Sequence, residues 1–251
     1  MPNVDKLLTL CDMLNRFEAI SRPQMTIDDI KRMLDSGAFV PTDEDIVARG
    51  QIASSEGGHV EYQLHHGWDP AKAHVCDKTW GVFNVELMRF IKRQAYDVEQ
   101  LRAVLGQIQI DDSHWNWLTK SLFYRSTEYD WFFLMAEGYP QGACLIYHPK
   151  PSAIASGDIF YIEYVAAAPW NRDNPMSGRT FKGIATILLR YATNYARKEL
   201  KLRYGFSLHA LPKAIAFYRG IGMVDHPPAN KDNLPYFEMP EVSASKFAAA
   251  V

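Results

Sequence analysis

The chain has 251 residues, 47% of them hydrophobic and 13% aromatic, enough apolar material for one large domain or for a domain with a smaller attachment. Its net charge of −2 and lack of a long basic run argue against a surface that neutralises duplex phosphates, so no nucleic-acid partner is expected. Its apolar runs are too short for a membrane span, no secretory leader is visible, and Cys11, Cys76 and Cys144 are scattered and odd in number; the expectation is a cytoplasmic protein with reduced thiols and no membrane association.

Along the chain, Val4, Leu7, Leu8, Cys11, Leu14 and Phe17 recur at helical spacing over residues 4–20. Thr26, followed by Asp28 and Asp29, opens a second helix that ends before Gly37. The run Pro41-Thr42-Asp43-Glu44 predicts a third, short helix over 46–52. Glu56-Gly57-Gly58 reads as a turn, 59–64 as a weakly alternating strand and 65–79 as irregular. Residues 1–80 are therefore expected to form a small, mainly helical N-terminal extension.

The remainder is more strongly patterned. A strand is predicted over 85–92, a helix over 97–105, and a helix over 115–124 capped by Asp111-Asp112-Ser113. Strands follow over 129–137 and 142–147, with Tyr139-Pro140-Gln141-Gly142 as the hairpin turn, and over 159–167. A polar loop at 171–178 leads to a long helix over 183–200, whose Ile184, Ile187, Leu188, Tyr191 and Tyr195 share one face. A strand at 206–210, a helix opened by Pro212, and a strand over 234–239 complete the order, with 241–251 as a tail. The expected fold class is α/β (α+β): a mixed sheet flanked by helices.

The most informative stretch is 159–223. A strand, a loop and then Lys182-Gly183-Ile184-Ala185-Thr186 open a helix whose first N–H groups have no internal partners. Such an end attracts anions, and small residues there let a phosphate reach the backbone. Arg179 and Lys182 add positive charge nearby. Neither the GxxxxGK[ST] nor the GxGxxG spacing is present.

Two motifs then carry a resemblance. Thr180-Phe181-Lys182-Gly183-Ile184-Ala185 is similar to the [QR]xxGx[GA] signature of the GNAT acetyltransferases. Ala214 through Phe217, Tyr218 and Gly222 to Met223 is similar to their AxxFYxxxGF signature. The run Ala168 to Arg172 also looks like members of that family. Thr180 stands where Gln or Arg is usual, and Met223 where Phe is usual. The resemblance covers about 83–240 and implies a GNAT-type, mostly antiparallel sheet with acetyl-CoA as acyl donor.

It further implies that backbone amides from Phe181 through Lys182, Gly183, Ile184 and Ala185 to Thr186 hold the CoA diphosphate. The pantetheine arm would lie in a gap between the fourth and fifth strands of the family sheet, against Tyr164, Val165 and Ala167. Tyr218 matches the family's acid. Glu163 is the candidate base, two residues from Val165 and expected on the same face; His209 is its rival. The acceptor is a small-molecule or protein amine, and whether the chain is a monomer or a homodimer stays open. The alternative reading is a non-catalytic CoA-binding module that acts through its N-terminal region as an interaction protein. His59, His65, His66, His74 and Cys76 fit no zinc-finger or HExxH spacing, so no metal is expected.

Overall fold

The computed structural model describes residues 26–36 and 45–250; the helix expected over 4–20 lies outside them. Helix α1 (Ile27–Asp35) begins with a capping box in which Thr26 and Asp29 satisfy each other's backbone amides. Strands β1 (Ile46–Ala53) and β2 (His59–His66) follow, then helices α2 (Pro70–Arg93), α3 (Val98–Gln107) and α4 (Trp117–Phe123). Next come β3 (Tyr129–Ala136), β4 (Tyr139–Pro151), β5 (Asp158–Ala167), α5 (Ile184–Lys198) and β6 (Phe206–His209). The chain continues through α6 (Ile215–Gly220), β7 (Val224–Asp225), β8 (Tyr236–Glu238) and α7 (Glu241–Ala249).

All eight strands join one sheet in the order β1-β2-β3-β4-β5-β6-β8-β7. Every neighbouring pair is antiparallel except β5 and β6. The expected mixed, mostly antiparallel sheet flanked by helices is thus present. On one face α5 buries Ile184, Leu188, Leu189, Ala192 and Ala196, spaced to form one helical stripe, against Phe132, Ile146, Phe160 and Ile162. On the other face α2 and α4 build an aromatic cluster that takes in all six tryptophans: Trp80, Trp117 and Trp131 are buried, and Trp68, Trp115 and Trp170 pack around them. Among the described residues no helix is long and apolar enough to cross a membrane.

Several expectations need correction. Residues 46–52 are not helical: β1 alternates in burial and pairs with β2, which pairs with β3. These two strands belong to the main sheet, so 46–66 are not part of a helical extension. Residues 85–92 are not a strand but the last turns of α2, which starts at Asp69-Pro70 and runs through the boundary set at 80–83. Ala73, Cys76, Trp80, Leu87 and Ile91 are its buried apolar positions, a helical stripe visible only when read from Asp69 onward. The β3–β4 turn is Glu137-Gly138, both with positive φ (52° and 77°), as a tight hairpin requires. Gln141 and Gly142 already lie in β4, buried. The cap of α4 is Asn116, whose side chain accepts from the Thr119 amide. Residues 241–249 form a regular helix rather than a tail.

Candidate active site

Strands β5 and β6 run parallel and pair only at Phe160/Phe206 and Tyr161/Ser207. Beyond these, β5 continues to Ala167 and β6 to His209 with no pairing between them. On its other edge β6 pairs with β8. The sheet therefore opens into a wedge bounded by 162–167 on one side and 208–209 on the other. The start of α5 sits at the β5 end of this wedge. Gly142, opposite Ala167, lies so close to α5 that an added Cβ would come within 2.5 Å of the Ile184 side chain and 2.9 Å of Leu188.

Gly183 is the N-cap of α5, at φ 83° with no side-chain cap. Only a residue tolerant of the left-handed region suits that angle. The space where its Cβ would project is empty. The first helical bond joins the Ile187 amide to the Gly183 carbonyl, which leaves the amides of Gly183, Ile184, Ala185 and Thr186 as the free donors of the helix end among the described residues. The Phe181 amide is not among them. It donates to Asn171 Oδ1 (2.9 Å), and the Phe181 ring is buried in the core. Asn171 is itself fixed through Gln141 (2.9 Å to Oε1), so the approach loop is anchored to β4. Lys182 is exposed and forms no ion pair among the described residues. Arg179 is bound to Asp173, so its charge is already matched.

A one-residue irregularity in the β4–β5 register leaves Glu163 without a partner: Tyr164 pairs with Leu145 and Ile162 with Ile146. Such a bulge reverses the side-chain alternation. Val165 consequently packs on the α5 side, whereas Glu163 lies on the opposite face in a cleft of about 260 Å³, with Tyr161 and His209. The expectation that Glu163 and Val165 share a face fails for this reason. Tyr164 also turns away from α5, its ring beneath the Lys120 ammonium (3.4 Å) and beside Trp115. The Ala167 carbonyl is occupied, accepting from Arg172 Nε (2.9 Å) and Nη2 (2.6 Å), while Arg172 grips both oxygens of Asp112.

Burial raises the Glu163 carboxyl above the ordinary carboxylate value, against the pull of Lys231, Lys150 and Lys120. The Tyr161 hydroxyl lies 2.6 Å from His209 Nδ1, and His209 Nε2 lies 2.9 Å from the Ala229 carbonyl. A carbonyl only accepts, so Nε2 carries the proton and Nδ1 accepts from the tyrosine. Burial lowers the His209 pKa, and nearby Lys231 and Lys150 lower it further. Tyr218 is buried on α6 against Phe237, and burial pushes its phenol well above the usual value. Its hydroxyl makes no hydrogen bond among the described residues. The pairing of Tyr161 with His209, 48 positions apart, has no local signal in the sequence.

The histidine-rich segment has other uses. His66 and His148 each donate from Nε2 to Asp130, at 2.7 and 2.8 Å. Burial alone would raise that carboxyl, but these bonds outweigh it and hold the pKa at about 2. Among the described residues no group of His, Cys, Asp and Glu is arranged to hold a metal ion.

No protein-family model matches the sequence, and no curated protein matches it. Among solved structures, an uncharacterised protein of Bacillus halodurans superposes with a TM-score of 0.47 at 10% identity, covering 82% of this chain and 96% of that one. The GNAT domain of PAT from S. lividans gives 0.46 at 12% identity, over 76% of this chain and 96% of its own. PaiA N-acetyltransferase of Thermoplasma acidophilum, solved with coenzyme A, gives 0.42 at 11% identity, over 70% of this chain and 98% of its own.

Proposed function

We propose that the chain is a cytoplasmic, GNAT-type N-acyltransferase that takes an acetyl group from acetyl-CoA and passes it directly to an amine. One observation carries this reading: an open wedge between two parallel strands with the uncapped start of α5 beside it. A diphosphate fits the four free amides of Gly183, Ile184, Ala185 and Thr186, with the Lys182 charge close by. The empty space over Gly183 lets an anion approach the backbone. An amide-containing arm fits the wedge as an added strand along β5 at Tyr164 and Val165, because β6 does not pair with that stretch.

The thioester would supply an activated acetyl group. The chain's own groups supply the proton transfers. An amine near neutral pH is mostly protonated and must lose a proton before it attacks. The Glu163 carboxylate, bulged out of β5 into the cleft, accepts that proton directly or through water. Its raised pKa makes it a better acceptor than an ordinary carboxylate. Tyr161 and His209 line the same cleft and fix its shape through their hydrogen bond. Tyr218 approaches from the α5 side of the sheet with its hydroxyl uncommitted, suited to protonate the leaving sulfur. Its high pKa keeps the proton in place until a thiolate develops.

The test is calorimetric titration with acetyl-CoA, followed by measurement of thiol release with a panel of amines. Saturable one-to-one binding and amine-dependent release are expected. Absence of binding would overturn the reading, and binding without release for any amine would reduce it to a CoA-holding module.

A further inference from the structure

The acceptor cleft has an unusual balance of charge. Its walls come from β4, β5, β6 and the segment leading into β8, and they carry one carboxyl group, Glu163, and two lysines, Lys150 and Lys231. His209 also lines the cleft, and burial lowers its pKa, as do the same two lysines. Neither lysine forms an ion pair among the described residues, whereas Arg172 pairs with Asp112, Arg203 with Glu238 and Lys213 with Asp111. A third ammonium, Lys120, approaches from α4 over the Tyr164 ring. The single carboxylate of the cleft thus faces an excess of cations drawn from three separate elements.

Two consequences follow from Coulomb's law. A polycationic amine entering this cleft is repelled. The lysines also pull the Glu163 pKa down and so weaken the base, unless another anion offsets them. Both difficulties vanish for one class of acceptor. Resting on the acyltransferase reading above, we propose that the acceptor is an amine carrying its own carboxylate or phosphate, and that Lys150 and Lys231 bind that anion and so present the amine to Glu163. These lysines are specificity-determining residues. Binding of the correct acceptor switches on the base by neutralising its neighbours.

The experiment compares phosphoethanolamine with ethanolamine, β-alanine with β-alaninamide, and all four with spermidine, in the wild-type chain and in Lys150→Ala/Lys231→Ala. In thiol-release assays kcat/KM is expected to favour the anionic member of each pair by about tenfold or more, equivalent to ~1.4 kcal/mol. The double variant should lose that preference mainly through KM. Its rising pH limb, read with ethanolamine, should move to higher pH, because fewer cations leave Glu163 more easily protonated. The larger preference of the two pairs tells phosphate from carboxylate recognition. Preference for a neutral amine or spermidine, or an unchanged preference in the double variant, overturns the proposal.

Ligand-observed NMR at millimolar amine, without acetyl-CoA, separates this outcome from failure of the acyltransferase reading. If no thiol is released but β-alanine or phosphoethanolamine binds and the double variant abolishes binding, the anion site stands and the chemistry falls. If neither anionic amine binds and none supports turnover, the anion site falls as well.

Discussion

The two halves of the sheet are built to different ends. From β2 to β5 the strands pair along most of their length, and one face is sealed by interlocked aromatic rings such as Trp131 stacked on Phe133 and edge-on to Trp117. From β5 to β6 pairing stops after two residues on each strand, and the surrounding polar groups include unmatched lysines, a raised carboxylate and a buried phenol. The closed half spends its residues on burial. The open half keeps backbone and side-chain groups uncommitted, which costs stability and leaves room for ligands.

Substitutions should separate the halves cleanly. The largest effect is expected in the closed half. Trp131 is buried and donates its indole N–H to the Tyr124 carbonyl at 2.8 Å. Trp131→Ala should therefore lower stability by about 3–5 kcal/mol in denaturant titration. Acetyl-CoA affinity of the remaining folded fraction should be unchanged.

In the open half, Glu163→Gln should lower kcat by about a hundredfold or more. It should also raise stability at neutral pH. The folded-state pKa of Glu163 lies above its unfolded value, so burying the ionised form is a penalty. That penalty is absent below the unfolded pKa and complete once pH exceeds the folded one. The gain in melting temperature should thus be larger at pH 8 than at pH 4. By the same sign, wild-type activity should fall as pH drops through a value above the ordinary carboxylate range. Loss of both activity and stability in this variant would place Glu163 among the structural residues instead.

Gly183→Asp should weaken acetyl-CoA binding by about a hundredfold, since it sets a carboxylate over amides meant for a diphosphate. The smallest effect is expected from Tyr218→Phe. This variant should lower kcat by about tenfold with acetyl-CoA affinity unchanged, because it removes a proton donor and preserves the packing against Phe237. A change in affinity without one in kcat would reassign the tyrosine to the wall of the wedge.

The same contrast governs what the sequence revealed. The start of α5 was legible because Gly183 and the apolar stripe behind it are local signals. The strands β3 to β6 were legible because they are short apolar runs between turns. Residues 85–92 misled because Val85, Leu87, Met88, Phe90 and Ile91 make a short apolar-rich run. Only the longer window from Asp69 shows that Leu87 and Ile91 continue the face of Ala73, Cys76 and Trp80. Residues 46–52 misled because helix-start residues precede them, whereas pairing with β2 decided their state.

The bulge at Glu163 is set by register with β4 and has no local signature, so its reversal of facing was hidden. The meeting of Lys150, Lys231, Glu163 and His209 was hidden for the same reason: the strand order assembles it from distant positions.

Amide-resolved hydrogen exchange with and without coenzyme A puts the contrast to its most direct test. Slowed exchange should be confined to Gly183, Ile184, Ala185 and Thr186 and to the unpaired stretch of β5, with β2 to β4 unaffected. Unchanged exchange at those four amides in the presence of saturating coenzyme A, or protection centred on the closed half, would contradict the account.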